Sequence, residues 1–364
     1  MRTEESLEVW REPARGHAGD LRIVGLPGLE RMERSVNGHF APPPIHHFTG
    51  MKPSAAAQGE SEFTMPSTSW WITSAGYFPM GVAAFLADGP AGSSIITALP
   101  PGRVLTTSDL TMNFLRPVTV DCGTLVARSR LIHAGRSLAL SEFTVHDGHE
   151  RLIAHGSSRC YLFDLDIPQV DGDLTSEAEP SERIDPYLRA DVPGEVVPAD
   201  AWDRLSGLEV LRKQATGELP LPPICYYWGG RFTELGEGSA THEVPLHGWH
   251  VSPAGTVYGG AISLHADIAM NGAIQTTVPP KTVYSPLDLK VNFLRPVFAD
   301  GSTLRLRAEV IHRGRRMAVA RCEALNADDK RVAVATGSFV LMPGRSWARA
   351  PVVSDEGGPE ESEG

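Results

Sequence analysis

Residues Asp109–Val118 read DLTMNFLRPV, and residues Asp288–Val297 read DLKVNFLRPV. Eight of the ten positions are identical, at a spacing of 179 residues. The same offset pairs Gly28 with Gly207, Pro44-Ile45 with Pro223-Ile224, and Trp70 with Trp249. It also pairs Gly81 with Gly260, Asp88 with Asp267, and the His-x-Gly-Arg run ending at Arg136 with the one ending at Arg315. A register kept without gaps from about residue 28 to about residue 149 means two copies of one domain. Where the copies differ, function has room to show itself.

The second copy reads more cleanly. Gly207–Thr216 predicts a short helix closed by Gly217. Residues 224–245 predict a strand, a turn at Gly236–Gly238 and a second strand. A glycine-rich loop, Ser252–Gly260, leads into Ala261–Thr277, whose apolar residues at helical spacing predict a buried helix. Four strands follow: 285–294, 303–312, 317–325 and 332–342. Thr303–His312 alternates most clearly, with Leu304, Leu306, Ala308 and Val310 on one face and Arg305, Arg307 and Glu309 on the other. Connected as a meander, these strands predict an antiparallel sheet wrapped around one central helix, an α+β fold.

The net charge of −11 is concentrated in two places. Asp164–Asp185 carries eight acids against Arg183 alone, and Asp355–Gly364 carries five acids and no base. The rest of the chain is about neutral, which argues against a nucleic-acid partner. Cys122, Cys160, Cys225 and Cys322 are scattered without a CxxC pair, as expected of reduced thiols in a cytoplasmic protein. No apolar run is long enough for a signal peptide or a membrane span. His39, His46 and His47 cluster in sequence without metal-ligand spacing and read as loop residues. No GxSxG, HExxH or Walker loop is present. The segments predicted are an N-terminal extension (1–20), a first domain (21–163), an acidic linker (164–199), a second domain (200–342) and an acidic, disordered tail (343–364).

The pattern G-x-x-[HY]-G-G-x6-D leading into a buried helix, a strand ending NFLRP, and a strand–HxGR–strand hairpin resembles the hotdog-fold thioesterases. The similarity is to the PaaI-like, 4-hydroxybenzoyl-CoA thioesterase type. It covers residues 200–342 well and 21–163 less well. It implies two tandem hotdog domains forming a dimer within one chain, hydrolysis of an acyl-CoA thioester, and no metal or other cofactor. It also allows two such pseudo-dimers to stack into a homodimer.

Thioester hydrolysis needs donors for the developing oxyanion, a group that activates water or attacks directly, and a cleft. Gly259 and Gly260 open the second helix, where N–H groups are unpaired. Asp267 lies two turns further on and matches the family's acid. Tyr258 stands where the family often has His, and Ser252 where it often has Asn. In the first copy, the loop before Gly81 lacks the glycine pair, and Asp88 is followed at once by Gly89-Pro90. An interior proline costs about 3 kcal/mol, so the helix carrying Asp88 is expected to kink or stop there. The family's facing hydroxyl matches Thr107 in copy 1 and Pro286 in copy 2. These features predict one composite working site, with Asp267 and Thr107 around the Gly259/Gly260 amides, and a degenerate one at Asp88. Arg315 and Arg316 are placed as contacts to coenzyme A phosphates. Two other functions fit the same fold: an acyl-CoA-binding protein without turnover, and a hydratase or dehydratase.

Overall fold

The computed structural model describes residues 8–167, 174 and 183–347. The predicted acidic tail beyond residue 347 and residues 168–173 and 175–182 of the acidic linker lie outside the described residues. The first half runs α1 (Gly28–Val36), α2 (Pro44–Thr49), β1 (Lys52–Ala57), β2 (Glu60–Pro66), α3 (Gly81–Ile96), β3 (Arg103–Phe114), β4 (Thr124–Ala134), β5 (Leu138–His146) and β6 (Leu152–Asp164). The second runs α4 (Ala199–Arg204), α5 (Gly207–Ala215), α6 (Pro223–Trp228), β7 (Arg231–Gly236), β8 (Ser239–Pro245), α7 (Gly259–Gln275), β9 (Thr282–Pro286), β10 (Asp288–Phe293), β11 (Thr303–Arg313), β12 (Met317–Leu325) and β13 (Arg331–Pro343). Apart from α4, every element has its counterpart at the offset read from the sequence.

All strands join one antiparallel sheet, in the order β1-β2-β4-β5-β6-β3-β10-β13-β12-β11-β8-β7, with β9 beside β13. The seam between the halves is the repeated decapeptide paired with its own copy. Asp288 lies opposite Asn113, Lys290 opposite Thr111, and Asn292 opposite Asp109. The pairing is symmetric about Thr111 and Lys290, which are themselves equivalent positions, so a pseudo-twofold axis passes through that pair. α3 and α7 cross behind this seam.

The four strands after the central helix are not a simple meander. β11, β12 and β13 follow one another, but β10 lies beside β13 rather than beside β11. The predicted strand 285–294 is also divided. It breaks at Leu287, which bonds to Ser338 on one side and to Phe114 of the other half on the other. Its counterpart β3 is continuous, with Thr107 where the second half has Pro286, a residue that cannot donate to a ladder.

Helix α3 is not cut short at Gly89-Pro90 as predicted. The helix continues from Gly81 to Ile96 with Pro90 inside it. Pro90 still removes one ladder bond, but nearly every residue of α3 is buried. Tertiary burial at roughly 1.5–3 kcal/mol per large side chain outweighs one missing bond. His46 and His47 lie in α2 rather than in a loop. Burial pushes His46 down to about 3, and His47 meets Asp185 at 3.1 Å.

Aromatic residues from both halves interlock in a shared core. Phe48 stacks on Tyr227 with centroids 4.2 Å apart, and Trp70 stacks on the other side at 5.1 Å. The Tyr227 hydroxyl donates to the Phe48 carbonyl. The described part of the N-terminal extension is a strap on the second half. Glu8 pairs with Arg231 at 2.8 Å, and Gly19 N–H donates to Pro253 at 2.8 Å. Residues 190–198 make the matching strap on the first half, where Val197 N–H donates to Ser74 at 2.9 Å.

Candidate active site

The starts of α3 and α7 abut each other's second turn. A Cβ on Gly81 would come within 2.8 Å of the Leu264 Cα, and one on Gly260 within 2.5 Å of the Phe85 carbonyl oxygen. Only glycine permits this approach, and its consequence is reciprocal. Asp88 Oδ2 accepts a hydrogen bond from Gly260 N–H at 2.9 Å, and Asp267 Oδ2 accepts one from Gly81 N–H at 2.8 Å. Each acid thus faces the unpaired, positive end of the other half's helix.

This geometry corrects the predicted pairing. Thr107 does not meet Asp267. Its hydroxyl donates to Asp88 Oδ1 at 3.4 Å, because β3 flanks α3 within the same half. Gly259 and Gly260 also face Asp88, and a Cβ on Gly259 would lie 2.8 Å from its Oδ2. Asp267 instead faces Met80 and Gly81, and its own half offers Pro286 at the hydroxyl position. The glycine pair and the hydroxyl therefore do converge on one acid, and that acid is Asp88.

The two carboxyls differ in environment. Asp88 is 8% exposed and Thr107 is partly open, whereas Asp267 is 1% exposed. Burial raises Asp88 to about 6, opposed by the Gly260 and Thr107 hydrogen bonds. Burial raises Asp267 to about 7, opposed by Gly81 N–H and by Asn271. Asn271 Nδ2 donates to Asp267 Oδ1 at 3.0 Å. Sequence reading missed Asn271, although a position four residues after a helical Asp is within reach of it. Cys160, opposite Thr107 in the β3–β6 pair, is fully buried. Burial pushes its thiol up to about 12, so it is no nucleophile at neutral pH.

The other predicted site residues have more local tasks. Tyr258 is buried and edge-on to Phe85, and its hydroxyl donates to the Phe85 carbonyl at 2.9 Å. Ser252 Oγ accepts from Ala254 N–H within its own turn. Arg315 and Arg316 are exposed on the β11–β12 hairpin. The carbonyl of Arg316 is bonded to Leu341, which places the hairpin on the Asp267 side. Among the described residues, no cluster of three or more His, Cys, Asp or Glu could hold a metal ion.

A cavity of about 490 Å³ lies on the Asp267 side: neither acid lines it, but Ile268 and Asn271 do, and Asn271 is bonded to Asp267. Met80, Trp228, Ile268, Asn271, Tyr284 and Trp347 are among its lining residues.

The thioesterase superfamily model matches residues 81–154 and 254–333, one segment in each half. Both segments begin at or just before a central helix. Among solved structures, the chain is similar to the tesB protein of Mycobacterium avium subsp. paratuberculosis. The two are 13% identical, with a TM-score of 0.50, covering 87% of this chain and 100% of that one. It is also similar to the acyl-CoA thioesterase II TesB2 of Mycobacterium marinum, at 13% identity and a TM-score of 0.48, covering 82% and 98%. The PaaI protein of the Escherichia coli phenylacetic acid degradation operon is 25% identical over 39% of this chain and 98% of its own, with a TM-score of 0.34. No curated protein matches the sequence. Among the described residues, no helix is long and apolar enough to cross a membrane.

Proposed function

We propose that this tandem hotdog chain, each half of which matches the thioesterase superfamily model, hydrolyses an acyl-CoA thioester at one composite site centred on Asp88. The observation that carries this reading is the convergence of Gly260 N–H, at 2.9 Å, and the Thr107 hydroxyl, at 3.4 Å, on one carboxylate. Thioester hydrolysis as a class is supported by the superfamily match in both halves. The coenzyme A thioester rests on the resemblance of the motifs and is part of the proposal.

With its pKa raised to about 6, Asp88 is mostly ionised at neutral pH and still basic enough to accept a proton. In the reaction, the substrate carbonyl displaces the carboxylate from Gly260 N–H. A water held by Asp88 and Thr107 attacks the carbonyl carbon, and its proton passes to Asp88. The negative charge developing on oxygen is met by Gly260 N–H at the start of α7. The C–S bond then breaks, and the proton on Asp88 neutralises the departing thiolate. No metal or redox group enters any of these steps.

The test is thiol release from a panel of acyl-CoAs, followed with a thiol reagent. Free thiol above the uncatalysed rate supports hydrolysis. Tight binding with no thiol release would show a binding protein instead. A change in enoyl-CoA absorbance without thiol release would show a hydratase. The cavity beside Asp267 favours one second reading, hydrolysis at that pole, and acid-by-acid substitution separates the two.

A further inference from the structure

The Asp267 pole has lost the hydroxyl and the glycine pair, yet a cavity opens on its side. Its walls are mostly apolar, with Trp228, Phe232 and Ile268 inside. Trp347 sits in the wall with its ring 5.8 Å from Trp202 and 5.5 Å from Tyr284. Arg231 also lines the cavity but is paired with Glu8 at 2.8 Å, and two other cations stand near the aromatic rim. Arg345 lines the cavity and is exposed. Lys281 is exposed and tied to the rim by its backbone. Its N–H donates to the Trp202 carbonyl at 3.0 Å, and its carbonyl accepts from Gly344 at 2.8 Å. Among the described residues, neither cation pairs with a carboxylate.

Lys281 carries an independent sign. Its φ is +57°, in the left-handed region that a long side chain adopts only at a cost. Its counterpart in the first half is Gly102, at φ +82°. The second half therefore holds a lysine where the turn geometry favours glycine, and that lysine's backbone is bonded to Trp202, which lines the cavity, and to Gly344, the neighbour of Arg345. Strained positions kept by their surroundings concentrate at ligand sites.

We propose that this cavity is a second ligand site, which holds an apolar carboxylate without turning it over. The hydrocarbon or ring occupies the apolar interior, and the carboxylate lies between Lys281 and Arg345. A volume of about 490 Å³ is in the ordinary range for small-molecule sites. Asn271 lines the cavity and holds the Asp267 carboxylate, and no hydroxyl group stands at the Pro286 position to hold a water. The inference does not require hydrolysis at Asp88, so the two can fail separately.

Titration calorimetry of the full chain with dodecanoate, and with dodecanol as the neutral analogue, tests it. Dodecanoate should bind about one per chain, at least tenfold more tightly than the alcohol. The double variant Lys281→Gly/Arg345→Gln should erase most of that preference. It restores the residue used in the first half, so misfolding is not the explanation expected for its effect. Ile268→Trp should abolish binding by filling the cavity, while Asp88→Asn should leave it unchanged. The proposal is overturned by an absence of dodecanoate binding, or by equal affinity for acid and alcohol. Loss of binding in Asp88→Asn but not in Ile268→Trp would place the ligand at the other pole. Displacement of dodecanoate by free coenzyme A at similar concentration would assign the cationic rim to the coenzyme instead.

Discussion

Asp88 and Asp267 occupy equivalent positions in the repeat, and their neighbours make them chemically unequal. Thr107 should matter only through Asp88. Thr107→Val keeps the shape and removes the hydroxyl, so kcat is expected to fall at least tenfold with KM little changed. A KM effect alone would make Thr107 part of the binding surface. The pH profile gives a second handle. A base must be deprotonated to act, so kcat/KM should fall as pH drops through about 6, the value to which burial raises Asp88. A profile flat from pH 8 down to pH 5 would rule out a carboxyl raised by burial as the base. The residues of this site were legible in the sequence, because the Gly-Gly pair, both acids and the Thr/Pro difference all stand out against the repeat. Which acid they serve was not legible. It depends on α3 and α7 crossing so that each helix start meets the other's second turn, and that is a tertiary relation.

At the scale of elements, the crossing of α3 and α7 rests on Gly81 and Gly260. Gly260→Ala would place a methyl group 2.5 Å from the Phe85 carbonyl oxygen. The helices must separate, at a cost of about 1–3 kcal/mol. Urea denaturation should show a lower midpoint with an unchanged slope, and hydrolysis should fall with it because the Gly260 amide moves. An unchanged midpoint would mean that the crossing is looser than these contacts require. Helix α3 shows why local signals misread this region. Gly89-Pro90 is a helix-breaking pair by propensity, yet burial on nearly every side holds the helix through it. Strand alternation succeeded for β11, where Leu304, Leu306 and Ala308 are buried and Arg305, Arg307 and Glu309 are not. It missed the break at Leu287, where a proline and two competing partners redirect the chain.

The whole molecule is a dimer made covalent, and its seam shows why the halves are not interchangeable. Thr111 lies opposite Lys290 on the pseudo-twofold axis. Two second halves pairing through β10 would set Lys290 against Lys290, and like charges directly opposite are destabilising. Fragments ending near residue 167 and beginning near residue 183 should therefore pair with each other in preference to themselves. Neither fragment alone should hydrolyse substrate, and mixing should restore activity. Activity of either fragment alone would refute a site shared between halves. The straps formed by residues 8–20 and 190–198 add to this mutual dependence, since each grips a loop of the other half. The repeat register slips near these straps, which is why a gapless comparison stopped short of them.

The proposed mechanism assigns the chemistry to one acid of the equivalent pair. The most direct measurement is the rate of thiol release from the best acyl-CoA substrate by Asp88→Asn and by Asp267→Asn, each checked for intact folding. Loss of a general base typically costs about 10²–10⁴-fold, and this loss is predicted for Asp88→Asn, with Asp267→Asn within a few-fold of the unmodified protein. The reverse order, with Asp267→Asn inactive and Asp88→Asn near full rate, would contradict the account.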